Sequence, residues 1–140
     1  TLQVTQAVRS ATGLPVIVKL SPNVTDIVAL ARAAADGGAH AITLANTLMG
    51  MAIDSATQLP SLGATTGGVS GAALKPVTLS MVYRVYEAVD IPLIGAGGVS
   101  AVGDAVEYLL AGARAVQIGT ANYFNPPAPV EVQTGLERFA

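Results

Sequence analysis

Two apolar runs that end in glycine constrain this chain more than anything else in it. The first is Ile94-Gly95-Ala96-Gly97-Gly98-Val99-Ser100, and the second, Gln117-Ile118-Gly119-Thr120, follows within the next βα-sized interval. Each stands where a strand would hand over to a helix, so the pair reads as consecutive βα units with their strand ends side by side. Glycine lets the main chain approach an anion closely and take positive φ. The first N–H groups of the following helix lack an internal partner, so such a turn offers backbone donors to a phosphate. In (β/α)8 barrels the loops after strands seven and eight build that site. A single glycine turn also fits a tight turn with no ligand; two in successive units point to a phosphate cradle.

The rest of the chain supplies the units that precede the cradle. Leu2, Ala7, Val8 and Ala11 fall near one helical face, closed by Gly13, and read as the end of a helix. Pro15-Val16-Ile17-Val18-Lys19-Leu20 is a β-branched run of the kind buried on both faces of a parallel sheet. Lys19 is its odd member: either the side chain snorkels to the strand's rim, or it is a cation facing a ligand at the carboxyl mouth of a barrel. Asn23 is placed to cap the next helix, with Asp26 in its first turn, Ile27, Leu30, Ala31 and Ala34 on its inner face and Gly37-Gly38 as its stop.

Ala41-Ile42-Thr43-Leu44-Ala45 is the second strand. Asn46-Thr47 sit at its carboxyl end, as a turn or cap or as polar groups on the catalytic face. His40, at the opposite end, reads as a structural or surface residue. From Leu48 to Lys75 the periodicity fails, which predicts a long functional loop. Pro76 suits the first turn of a helix carrying Val77, Met81, Val82, Val85 and Val89. Ile91–Ile94 is the third strand, Ser100 caps a helix running to about Ala111, Ala115–Ile118 is the fourth strand, and Pro129 opens a last helix with Val130, Val132 and Leu136. The expected architecture is α/β: one partial domain over residues 1–140, the C-terminal half of a (β/α)8 barrel in four βα units. Such a half has two open sheet edges, and alone it would be sticky or unstable.

Composition narrows the chemistry. With 51% hydrophobic and 11% charged residues, 140 residues make one core of closely packed strands and helices, short of the roughly 250 of a closed barrel. The net charge of −2 carries no basic block, which argues against a nucleic-acid partner. No run approaches the roughly 20 apolar residues of a membrane span, and Thr1–Gln6 lacks the layout of a signal peptide, so a cytoplasmic protein is expected. The absence of cysteine removes disulfides, thiolate-held metals and a thiol base from this polypeptide, and one histidine leaves little for a metal site.

Five segments then carry a resemblance: Val18–Asp26 (VKLSPNVTD), Ala45–Asp54 (ANTLMGMAID), Thr66–Pro76 (TGGVSGAALKP), Gly95–Val99 (GAGGV) and Gln117–Asn122 (QIGTAN). In this order and spacing they resemble dihydroorotate dehydrogenase over essentially the whole chain, nearest to its class 1B, NAD-linked catalytic subunit. The resemblance implies an FMN-containing (β/α)8 barrel that oxidises dihydroorotate to orotate in pyrimidine biosynthesis. It implies that Lys19 contacts the flavin ring, where a cation favours the anionic reduced form. It assigns FMN contacts to Ala45, Gly71, Gly97, Gly98, Gly119 and Thr120, the last two pairs being the phosphate cradle. Asn46 and Thr47 match positions that hydrogen-bond the pyrimidine.

In that class the proton is removed by a cysteine on an upstream loop while hydride passes to the flavin. With no cysteine here, no catalytic residue is assigned, and the resemblance implies a chain beginning in the helix before the fifth strand, silent by itself. It also implies a homodimer and a second subunit carrying FAD and an iron–sulfur cluster that passes electrons to NAD. Two alternatives stay open: the flavin domain of dihydropyrimidine dehydrogenase, which shares the Lys-Leu-x-Pro-Asn and Gly-Gly-Val-Ser-Gly segments, and a non-catalytic half barrel that binds FMN or phosphate and dimerises to hide its edges. Aldolase-like and phosphosugar isomerase barrels share the cradle but lack the five segments.

Overall fold

A computed structural model describes residues 1–139. Its frame is four parallel strands, β1 (Ile17–Lys19), β2 (Ala41–Leu44), β7 (Leu93–Ala96) and β8 (Ala115–Gln117), in the spatial order β1-β2-β7-β8. The registers Ile17 to Ala41, Thr43 to Ile94 and Gly95 to Val116 bring the carboxyl ends of all four strands to one rim. Spatial order follows chain order, so the sheet has no switch point of the doubly wound kind.

Five helices connect and flank the strands: α1 (Leu2–Ala11), α2 (Ile27–Asp36), α3 (Lys75–Tyr86), α4 (Val102–Leu110) and α5 (Ala128–Phe139). Each touches the next in turn, from α1 to α5, as one layer wrapped along the sheet. An unbroken strand order under one helical layer is compatible with part of a (β/α)8 barrel.

The core lies between strands and helices, where Ile27, Ala31 and Ala34 of α2 meet Ile42 and Leu44 of β2, and Val82, Val85 and Tyr108 meet Leu93. Small residues dominate α2 because a helix spaced closely over a sheet has room for alanine and little else. Strand β2 is buried at every position, as its apolar run predicts. Strand β1 departs from the expectation of burial on both faces: Ile17 and Lys19 are exposed because β1 is an edge of the sheet, with no strand beyond it. Below the opposite rim, the Val16 N–H donates to His40 Nδ1 at 2.8 Å, which gives this histidine a structural role away from the carboxyl ends.

Two caps differ from expectation. Asp26, not Asn23, caps α2: its Oδ1 accepts the N–H groups of Val28 and Ala29 at 2.9 and 3.3 Å. Helix α4 starts one residue later than predicted, with Ala101 at the N-cap, and Asp104 reaches back to do the capping. Val89, assigned to the face of the third helix, lies beyond its end at Tyr86 but still packs on the core.

The aperiodic stretch is not structureless. It folds as two small antiparallel ribbons, β3 (Leu48–Gly50) with β6 (Gly67–Val69), and β4 (Ile53–Asp54) with β5 (Leu59–Pro60). Strands of two or three residues are too short for an alternation pattern to register in sequence. Among the described residues no helix is long and apolar enough to cross a membrane, and no cluster of histidine, cysteine or carboxylate side chains is placed to hold a metal.

Candidate functional site

The carboxyl rim of the sheet opens into a cavity of about 560 Å³. Lys19 at the end of β1, Ala45, Asn46 and Thr47 after β2, Gly71 after β6, Gly97 and Gly98 after β7, and Gly119 and Thr120 after β8 all line it. These are the nine positions that the sequence nominated, drawn from five separate segments, and the fold brings every one of them to one place.

Lys19 is exposed, and among the described residues its ammonium pairs with no carboxylate. It therefore offers an uncommitted positive charge at the cavity wall. Beyond it the Leu44–Ala45 peptide is cis. Asn46 donates its N–H to the Leu20 carbonyl at 3.0 Å, and its side-chain Oδ1 accepts the Thr47 N–H at 2.8 Å. The local turn bond thus uses the oxygen of Asn46 and leaves its amide NH2 facing other partners.

Asn23, displaced from its expected cap, performs a different task. Its Nδ2 donates to the Thr47 carbonyl at 2.9 Å, and its Oδ1 accepts the Met49 N–H at 2.8 Å. One side chain thereby ties the loop after β1 to the segment after β2 and fixes the backbone that carries Thr47. Gly68 completes the support: a Cβ there would collide with the Thr47 side chain, so β6 packs directly on it.

The glycines of the cradle have distinct duties. Gly97 and Gly98 take φ of +136° and +70°, as a strand-to-loop reversal requires. A Cβ on Gly98 would lie 2.8 Å from Lys75 Cβ, 2.9 Å from Lys75 N and 3.0 Å from the Gly71 carbonyl oxygen. A Cβ on Gly97 would lie 2.6 Å from Thr78 Oγ1. Both therefore also serve close packing on the start of α3. Gly119 does not adopt positive φ, contrary to the general expectation for such turns; its φ is −110°, and a Cβ there would meet nothing within 4 Å. It opens the 3-10 turn Thr120–Tyr123, its carbonyl accepting the Asn122 N–H at 3.1 Å, and its missing side chain leaves open space. Asn122 Nδ2 donates to the Ile118 and Gly119 carbonyls at 2.9 and 3.0 Å and so fixes the backbone after β8.

Behind the cradle, fully buried Tyr108 donates its hydroxyl proton to the Gly97 carbonyl at 2.7 Å and contacts the Thr78 hydroxyl. Burial pushes the Tyr108 phenol up, so it stays a protonated donor. Gly95 is glycine because the Tyr108 ring occupies the space of its Cβ.

The helix-start donors are only partly open to a ligand. Asp104 Oδ2 already accepts the N–H groups of Ser100 and Ala101, both at 2.9 Å, and the Ser100 hydroxyl at 3.0 Å. An acidic side chain thus takes the N–H groups of the cap residue Ala101 and of Ser100 before it, while those of Val102 and Gly103 in the first turn make no bond to it. Lys75 Nζ in turn binds Asp104 Oδ1 at 2.7 Å and Glu107 Oε1 at 2.8 Å. Burial raises the Asp104 carboxyl, but Lys75 and the bonds from Ser100 and Ala101 outweigh it and hold it at about 2. Tyr108, the tie that Asn23 makes to the Thr47–Met49 segment and this ion cluster escaped sequence reasoning. A lone apolar-face tyrosine and two carboxylates one helical turn apart carry no signal until their partners are in space. Phe124, exposed on one side and lining the cavity on the other, is a further unnominated wall.

Fold and site together define an α/β protein with a cavity at the carboxyl ends of consecutive parallel strands. The chain belongs to the dihydroorotate dehydrogenase family, whose family model matches residues 1–139. It is similar to the dihydroorotate dehydrogenase B (NAD(+)) catalytic subunit of Pelobacter propionicus, 56% identical over 137 residues, which are 98% of this chain and 45% of that protein. The protein of the same name from Bacteroides thetaiotaomicron is 53% identical over 137 residues, again 98% of this chain and 45% of the relative. That from Geobacter metallireducens is 55% identical over 136 residues, 97% and 45% of the two chains. The chain therefore spans about half the length of the curated relatives it matches.

Proposed function

We propose that this chain is the C-terminal half of an FMN-binding (β/α)8 barrel and supplies the phosphate cradle and pyrimidine-binding groups of an enzyme that oxidises dihydroorotate to orotate. The observation that carries the reading is the convergence of the nine nominated residues on one cavity. The cavity's volume of about 560 Å³ lies within the ordinary range for cofactor sites. Its donor set suits the group: glycine backbone at the β7 and β8 ends for a phosphate, the Thr120 hydroxyl beside them, and an uncommitted ammonium at Lys19 for an electron-rich ring. Gly119 supports the fit further, because the space its missing side chain leaves is open.

FMN bound here would supply the hydride acceptor. The residues of this chain bind and orient. Lys19 places positive charge at the ring, where negative charge grows on reduction. Asn46 presents its free amide NH2, and Thr47 its hydroxyl, as donors to a planar, polar substrate carrying a carboxylate. Asn23 holds the Thr47 backbone so that those two side chains keep one spacing. The sequence has no cysteine, so in this reading the proton is removed by a group outside residues 1–140. NAD and the words "catalytic subunit" in the relatives' names support a partner subunit and a route to NAD; FAD and an iron–sulfur cluster on that partner, a homodimer and a cytoplasmic enzyme belong to the proposal through the family resemblance alone.

The test is to purify the full chain that carries these residues, assay its flavin, and supply dihydroorotate. Bound FMN reduced by dihydroorotate is the expected result. Reduction of uracil or thymine in its place would move the assignment to dihydropyrimidine dehydrogenase. FMN binding without turnover of any of these substrates would leave a binding module.

A further inference from the structure

The ion cluster behind the cradle has a charge problem that a phosphate would make worse. Asp104 occupies the N–H groups of Ser100 and of the N-cap residue Ala101, and Ser100 itself lines the cavity. A bare carboxylate there would repel a phosphate dianion in the cavity. Lys75 sits on the far side of Gly98, whose backbone packs against its N and Cβ, and its ammonium is held by Asp104 and Glu107. Only 24% of the Lys75 side chain and 17% of that of Asp104 are exposed, so water screens the pair weakly. With both carboxylates on its ammonium, Lys75 has little left to give a ligand directly.

We propose that Lys75 is a positioning and charge-compensating residue: shared between Asp104 and Glu107, its ammonium brings the cluster from two negative charges to one, so that Asp104 can lock the Ser100–Ala101 turn with less repulsion of the anionic end of the cofactor. The inference rests on the FMN reading above and concerns the phosphate end alone. It distinguishes two ligands that share the ring system, FMN with its phosphate and riboflavin without it. A merely structural Lys75 would affect both alike.

The experiment measures binding of FMN and of riboflavin to the apo form of the full chain by flavin fluorescence, for wild type and variants. Lys75→Met is expected to weaken FMN by about tenfold at low salt while riboflavin changes less than about twofold. Adding Asp104→Asn to Lys75→Met is expected to restore most of the preference for FMN, and Lys75→Arg to retain it. If Lys75→Met does not fold, Asp104→Asn alone decides: it should bind FMN at least as tightly as wild type relative to riboflavin, and a fall in that ratio overturns the proposal. Equal losses for both flavins in Lys75→Met, or an unchanged ratio, also overturn it. A wild-type chain with no affinity for FMN would take the flavin reading down as well, whereas a wild type that prefers FMN beside a Lys75→Met variant that keeps the preference removes this inference alone.

Discussion

At the scale of single residues, two glycines of one cradle should respond in opposite ways. Gly98→Ala forces a Cβ into the Lys75 backbone at a φ of +70°, so it should cost about 2 kcal/mol of stability and lose the cofactor with it. Gly119→Ala puts its methyl into open space, where it meets no neighbour within 4 Å. Its melting temperature should stay within a degree or two of wild type, about the reach of a neutral surface change, while FMN affinity falls as the cradle narrows. Thermal unfolding beside flavin retention separates the two, and a destabilised Gly119→Ala would mean that its space is needed for packing. Tyr108→Phe deletes the donor to the Gly97 carbonyl and leaves a buried oxygen unpaired, a loss of about 1–2 kcal/mol by denaturant unfolding. The glycines were legible as a motif. Which ones make room for a ligand, and which make room for Tyr108, Thr78 and Lys75, was not, because that depends on what stands opposite them.

At the scale of elements, the caps and ties decide how the rim is held. Asn23→Ala removes both bonds from the first loop to the Thr47–Met49 segment. It should raise the KM for dihydroorotate more than it lowers FMN content, since it frees the substrate strand end and leaves the cradle alone. Equal loss of both would place Asn23 in general stability. Helix α4 should carry a pH signature. Asp104 is held at about 2 against an ordinary 3.8, so its contribution is complete above the unfolded value and is lost as pH falls through the folded one. Between about pH 4 and pH 2 wild type should lose stability that Asp104→Asn does not, which acid titration followed by circular dichroism measures. The helices and the four main strands were readable from periodicity and from proline and glycine punctuation. The caps were not: Asn23 and Asp26 are both competent cap residues three positions apart, and only the direction of the chain leaving β1 selects Asp26.

At the scale of the whole molecule, β1 and β8 are sheet edges with unpaired backbone groups, and apolar Ile17 lies exposed on the first. Residues 1–140 expressed alone should therefore associate in a concentration-dependent way, as size-exclusion chromatography would register; a stable monomer across the micromolar range would argue that these edges are self-sufficient. The sequence by itself determined the βα alternation and the order of the strands through local periodicity and strand ends, and its five segments named the nine cavity residues through the family they resemble. Tertiary structure alone decided that Lys75 pairs with Asp104 and Glu107, that Tyr108 braces Gly97 and that Asn23 ties two loops together. Each of those contacts joins residues whose proximity depends on how one element is laid against another, and no local pattern along the chain encodes that distance.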